Sequence, residues 1–156
     1  MPHLSVFSPV DHLTLHEEGG RLVSLDWGWV PDGTETPLLT EARAQLEAYF
    51  DGRLTAFDLP LDPGGTAFQR RVWAAMSEIP WGQTQTYGDL AATLQSSPRA
   101  VGGACGRNPL PILIPCHRVL ARDGQAGGYS GGWGLATKYE LLRREGVPGL
   151  DPSRFQ

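Results

Sequence analysis

The sequence predicts an α/β (α+β) protein in two parts. Residues 1–64 form a small N-terminal α/β lobe with antiparallel strands, and residues 65–156 form a mainly helical C-terminal domain with a helix-turn-helix and a candidate reactive cysteine. Three observations predict this. Apolar and polar residues alternate on either side of Gly19-Gly20, the signature of a hairpin with a two-residue loop. Beyond Thr66 the apolar residues recur at helical spacing instead. Between the two patterns, Leu61-Asp62-Pro63-Gly64-Gly65 has the turn chemistry of a linker.

The elements follow in order. His12 to Glu18 and Arg21 to Trp27 are the hairpin strands. Thr40 can cap the next helix, in which Ala42, Leu46, Tyr49 and Phe50 share one face and which Gly52 ends. Leu54 to Leu59 then returns as a strand. In the second part, Thr66 caps a helix from Ala67 to Ile79, with Phe68, Val72, Trp73, Met76 and Ile79 at helical spacing and Pro80 and Gly82 as its stop. A further helix, Tyr87 to Leu94, is separated by Gln95-Ser96-Ser97 from one that opens on Pro98 and runs to about Arg107. Helix, three-residue turn and helix make the helix-turn-helix pattern. The last helix, Leu135 to Glu145, puts Leu135, Tyr139 and Leu142 on one face and stops at Gly146.

Composition narrows the function. With 156 residues and 40% apolar content the chain can bury one good core. Cys105 and Cys116 are too few and too close for a secreted disulfide framework, and no charged-then-apolar signal opens the chain, so a reducing, cytoplasmic setting is expected. No apolar run approaches the roughly 20 residues of a membrane span. The histidines, His3, His12, His16 and His117, and the two cysteines lack the spacing of a structural zinc site, so no metal is expected. Net charge is −4 but unevenly spread: residues 1–66 carry 11 acidic and 3 basic side chains, and residues 67–156 carry 6 and 10. A basic second part is compatible with phosphate binding, and equally with an ordinary solvated surface.

The chemistry concentrates at Pro115-Cys116-His117-Arg118, after the apolar run Ile112-Leu113-Ile114. A nucleophilic cysteine needs a base or a cation to generate its thiolate, and His117 and Arg118 are adjacent. Consecutive strand residues face opposite ways, so Cys116 and His117 cooperate only if the chain turns at Pro115 or a water bridges them. The alternative is a buried structural thiol beside a surface histidine. Upstream, Arg99 to Gly106 holds three glycines, each costing about 1 kcal/mol relative to alanine in a helix. Such a bare face either packs tightly on a neighbouring strand or enters a nucleic-acid groove too narrow for larger side chains. Arg99 is able to reach into DNA, or to be a plain surface charge. Gly127-Gly128-Tyr129-Ser130-Gly131-Gly132 lacks phosphate-loop spacing and reads as a pocket wall. Glu145, at a helix C-terminus where a carboxylate is disfavoured, needs a partner, and His117 is a candidate.

Phe68 to Trp73, Ile79 to Thr84, Tyr87 to Ala91, Arg99 to Ala104, Asn108-Pro109, Ile112 to Val119 and Tyr129 to Gly132 together resemble the O6-alkylguanine-DNA alkyltransferases, also called methylated-DNA–protein-cysteine methyltransferases. The match covers Gly65 to Gly146 in order and spacing; the first lobe is similar only as the family's variable, ribonuclease-H-like α/β domain. The resemblance implies a suicidal direct-reversal DNA repair enzyme, in which Cys116 takes the alkyl group from O6 of guanine in duplex DNA and is not regenerated. It implies that His117 acts through a water as base, that Glu145 orients it, and that Tyr87 donates toward the base. Asn108 matches the hinge between recognition helix and active-site segment. Arg99 would fill the space left by the flipped nucleotide. Ala100, Gly102, Gly103, Ala104, Cys105 and Arg107 would form the DNA-binding surface in the minor groove, with little sequence preference. Tyr129, Ser130 and Gly131 would line the alkylguanine pocket, where the Val119 and Cys116 carbonyls would read the base's amino group. The family implies no cofactor and a monomer.

Departures and rivals remain. Cys105 stands where relatives have Met or Asn, placing a second thiol near the expected DNA surface, and Gly128 stands where some have Asn. The zinc-binding cysteines of some relatives are missing from the first lobe. A non-catalytic sensor of alkylated DNA is the nearest alternative, although there tryptophan replaces the cysteine that Cys116 retains. A cysteine hydrolase using Cys116 and His117 explains neither Arg99 nor the glycine-rich helix.

Overall fold

The structure, a computed structural model, describes residues 1–156. Three antiparallel strands form the first sheet in the order β1 (His3–Val6), β2 (Leu13–Glu18) and β3 (Arg21–Trp27). Gly19 and Gly20, both at positive φ, make the predicted β2–β3 turn, and the register shifts by a bulge between His16 and Glu17. Strand β1 was not anticipated: four residues are too few to show a period, and it pairs with β2 from His3↔His16 to Val6↔Leu13.

Helix α1 (Pro37–Phe50) covers the sheet through Leu39, Ala42, Leu46 and Tyr49. Its cap is Thr36, not Thr40, because Pro37 fits the first helical position and the Thr36 hydroxyl accepts from the Leu39 amide. Residues 54–59 are irregular where a strand was expected. Only Leu61 bridges to Leu22, while Leu54, Phe57 and Leu59 pack on the core from turns.

Helix α2 (Ala67–Ser77) begins with a capping box between Thr66 and Gln69, and ends two residues before Ile79. The helix-turn-helix follows. Helix α3 (Tyr87–Leu94) is capped by Thr86 and closed by Gln95 in the left-handed conformation; helix α4 (Pro98–Gly106) is capped by Ser97. Two short parallel strands, β4 (Gln85–Thr86) and β5 (Val119–Leu120), clamp the start of α3 to the chain after Arg118. Helix α5 (Leu135–Arg144) completes the fold. None of the helices is long and apolar enough to cross a membrane.

One apolar cluster of 26 buried residues runs from Leu4 in β1 to Leu141 in α5. The sheet side and the helical side therefore share a core. Leu25 of β3 donates its amide to the Pro109 carbonyl, and Arg144 of α5 reaches the Phe50 carbonyl at the end of α1.

Candidate active site

The chain turns at Pro115. Residues Cys116–Arg118 form a single 3-10 turn, so the opposed faces of an extended segment do not apply here. His117 is fully buried and Arg118 nearly so, while Cys116 is half-buried and opens on a cleft of about 500 Å³.

Glu145 is the C-cap of α5 and is buried, not frayed. His117 Nε2 lies 2.8 Å from its Oε2. Arg118 donates from Nε to Oε1 at 2.8 Å and from Nη2 to Oε2 at 2.9 Å, and from Nη1 to the Ile79 carbonyl at 2.6 Å. Tyr49 of α1 donates its hydroxyl to Oε2 at 2.6 Å. Burial alone would raise the Glu145 carboxyl, but His117, then Arg118 and Tyr49, outweigh it and hold the group at about 2. An ionised carboxylate only accepts, so Nε2 carries the imidazole proton. The other nitrogen, Nδ1, is buried without a protein partner. Burial lowers the His117 pKa despite Glu145, so the resting ring is neutral with a free lone pair on Nδ1. This is the state of a base.

Arg118 is not the cation beside the thiol that adjacency suggested; its guanidinium is spent on Glu145 and Ile79. The cation whose charge bears on the thiol is Lys138. It is fully buried on α5 with no carboxylate partner, donating from Nζ to the carbonyls of Val119 and Ala126, both at 2.6 Å, and of Gly128 at 3.2 Å. Its Nζ lies 5.9 Å from the centre of the Tyr87 ring. Burial lowers the Lys138 pKa to about 8, and the charge of the two thiol positions partly restores it. Burial raises the Cys116 thiol, while the Asn108 amide and the Lys138 charge pull it back. Burial thus favours the neutral thiol at Cys116, and the Lys138 charge acts in the opposite direction.

Asn108 locks the approach to the turn: its amide donates to the Ile114 carbonyl at 2.8 Å and its oxygen accepts from the Leu110 amide at 3.0 Å. Tyr87, the first residue of α3, has its phenol raised by burial, a shift opposed by a hydrogen bond from the Gly128 backbone. Gly127, at φ +74, touches that ring so closely that a Cβ would lie 2.8 Å from Tyr87 Cε2. Only glycine fits there.

Residues 67–147 match the family model described as the DNA binding domain of 6-O-methylguanine DNA methyltransferase, and residues 5–63 match its ribonuclease-like domain. The chain belongs to the 6-O-methylguanine DNA methyltransferase family. The methylated-DNA–protein-cysteine methyltransferase of Mycobacterium leprae is 42% identical over 153 residues, 90% of each chain, and that of Haemophilus influenzae is 39% identical over 155, covering 92% of this chain and 86% of the relative. The crystal structure of Mycobacterium tuberculosis O6-methylguanine methyltransferase superposes with a TM-score of 0.82 at 38% identity over 99% of both chains. A structure of the M. tuberculosis protein in complex with DNA gives 0.82 and 38% over the full length of both.

Placed within this family, the expected site residues separate into three groups. Cys116, Tyr87, Asn108, Tyr129, Ser130 and Gly131 line one cleft, joined there by Cys105, Gly102 and Pro111. Arg99, Ala100, Gly103 and Arg107 are exposed along α4. The rest are buried: His117 and Glu145 as the pair already described, and two residues of α4 as a correction. Ala104 and Cys105 are buried against α2, where Trp73 Nε1 donates to the Ala104 carbonyl at 2.8 Å and the Cys105 thiol donates to Met76 Sδ at 3.3 Å, so neither side chain faces out toward DNA. Val119 is fully buried, and its carbonyl accepts from Lys138 with a second lone pair left over for the base-reading role expected of it.

Three functional neighbours escaped the sequence reading. Tyr49 looked like one apolar position on a helix face. Lys138 drew no reading, although the gap it leaves in an otherwise apolar stripe with Leu141 and Leu142 was a usable signal. Trp27 closes the cleft from β3: a Cβ on Gly131 would stand 2.2 Å from its Nε1. No group of three or more His, Cys, Asp or Glu side chains is placed to hold a metal ion.

Proposed function

We propose that the chain is a single-use DNA repair methyltransferase that moves the alkyl group of O6-alkylguanine in duplex DNA onto Cys116. The observation that carries the reading is the polarity of the Cys116, His117 and Glu145 array. Glu145 fixes the proton on Nε2 and leaves Nδ1 as the acceptor, within a turn that carries the thiol. The thiol proton passes through a water to Nδ1, the thiolate forms beside the Lys138 charge, and sulfur attacks the alkyl carbon. The carbon–O6 bond breaks and its electron pair leaves with guanine, where the Tyr87 phenol donates toward N3. The product thioether is stable, so each molecule reacts once.

The target base must leave the stack, at a cost of a few kcal/mol. Arg99 would fill the space, a reading supported by its exposure in the first turn of α4. A Cβ added at Gly103 or Gly106 would meet nothing within 4 Å, so the fold itself does not demand glycine there. Close approach to an external surface does, and the minor groove of a duplex fits with little sequence preference. The protein acts as a monomer in the cytoplasm.

Mixing the protein with a duplex containing O6-methylguanine tests this. Intact and peptide masses are expected to show one added methylene, on the peptide bearing Cys116, at no more than one equivalent, and none in Cys116→Ala. Retained binding with unchanged mass would identify a sensor instead.

A further inference from the structure

We infer that Tyr49, on the first lobe, is a positioning residue of the transfer: its phenolic O–H, donated to Oε2 of Glu145, sets how strongly that carboxylate holds the His117 imidazole. The inference rests on the proposed alkyl transfer with His117 as base.

Oε2 of Glu145 accepts from three donors: Tyr49 at 2.6 Å, His117 at 2.8 Å and Arg118 at 2.9 Å. Each donor draws on the same negative charge, so the more the oxygen gives to Tyr49 and Arg118, the less it gives to His117. Arg118 is a permanent cation that chelates both oxygens. Tyr49 is the donor that stays neutral while His117 gains and loses its second proton, and its bond is the shortest. Its ring has no freedom to leave: it is 2% exposed and packs against Phe50, Phe57 and Trp81 with centroids 5.0, 5.2 and 5.5 Å away. Burial, and then the Glu145 charge, raise its pKa well above the ordinary phenol value, so it stays a donor throughout the folded range.

The consequence follows from charge alone. With the Tyr49 hydrogen bond in place the carboxylate is a weaker acceptor, the imidazolium is less favoured, and Nδ1 is an unprotonated acceptor down to lower pH. Without it, Oε2 recovers charge and His117 binds its second proton more tightly. The other titratable and charged groups around the pair are Arg118 on the same turn, Lys138 on α5, Cys116 itself and Tyr129 on the glycine-rich loop. Arg118 and Lys138 push His117 toward the neutral form, the same direction as Tyr49.

The test is Tyr49→Phe in the full chain, which keeps the ring packing and removes the donor. Single-turnover transfer to Cys116 is followed from pH 5 to 9, and the His117 ring nitrogens are titrated by NMR in unreacted protein. The acid limb of the rate profile and the NMR titration are both expected to move up by about one pH unit, with rates converging with wild type at high pH. Coincident profiles and titrations, even with lowered stability, overturn the inference and leave Tyr49 a packing residue. Should Tyr49→Phe fail to fold, 3,5-difluorotyrosine at position 49, a stronger donor, is expected to move both readouts the other way; no movement overturns the inference. The NMR arm needs no transfer. Wild-type protein that fails to alkylate Cys116 therefore sinks the proposed function, while an unmoved His117 titration sinks the role of Tyr49.

Discussion

In the second lobe the candidate reacting groups sit on short, irregular pieces of chain: a three-residue turn carries Cys116 and His117, and a glycine-rich loop carries Tyr129 and Ser130. In the first lobe the groups that brace the site come from regular elements: Trp27, from the last strand of a sheet, stands against the glycine-rich loop, and Tyr49, from a 14-residue helix, reaches Glu145. Irregular backbone can open a thiol onto a cleft and, at the next residue, bury an imidazole against a carboxylate. It has few internal hydrogen bonds with which to keep that aim. The comparison teaches that the first lobe braces a site it does not itself contain, through a core common to both lobes.

Glu145 is where the brace meets the site, and removing it is the harshest break. Glu145→Gln is expected to cost about 3–5 kcal/mol of unfolding free energy, because Arg118 is left buried without its anion. The pH dependence gives a second check. The native carboxyl stands at about 2, against about 4.3 in an unfolded chain, so its stabilisation is complete above pH 4.3 and is lost as pH falls toward 2. Urea midpoints of wild type should decline across that window more steeply than those of Glu145→Gln. Parallel declines would mean that the cross-lobe network carries no acid-sensitive stability.

Gly131 offers a milder break on the other contact between lobes. Gly131→Ala drives a methyl into Trp27 and should cost about 1–3 kcal/mol, with slower transfer as the loop shifts. Adding Trp27→Ala removes the obstacle, so the double variant should be less destabilised than the sum of the two singles. Additive losses in thermal or urea unfolding would show that the loop is not braced by β3.

How legible each region was follows the same divide. Helices α2, α3 and α4 were readable because caps such as Thr66 and Pro98 and an apolar stripe are local signals. Strand β1 and residues 54–59 were not, since a four-residue strand and an apolar run in turns are defined only by what they pack on. In the site, Cys116, His117 and Glu145 were nominated by chemistry and resemblance. Tyr49 was invisible because an aromatic on an apolar helix face gives no hint that its hydroxyl ends on a carboxylate 96 residues away. Arg118 and Cys105 were misplaced for a related reason: adjacency says nothing of direction. The Arg118 side chain turned to Glu145, and that of Cys105 turned inward to Met76.

The smallest expected effect separates the two thiols and so sharpens the contrast between regular and irregular support. Cys105 and Cys116 border the same cleft, but Cys105 is fixed on α4, and burial followed by the charge at Cys116 pushes its thiol up to about 12. It has no base: its hydrogen goes to the Met76 thioether. Cys116 has a neutral imidazole on its own turn. Native protein treated with iodoacetamide should therefore be carbamidomethylated at Cys116 and spared at Cys105, as peptide masses would show. Cys105→Ala should lower stability by about 1 kcal/mol for the lost contact and leave transfer to Cys116 intact. Labelling of Cys105 at a comparable rate would mean that burial on a helix does not protect a thiol in this cleft, and that the turn at Pro115 is not what distinguishes the two cysteines.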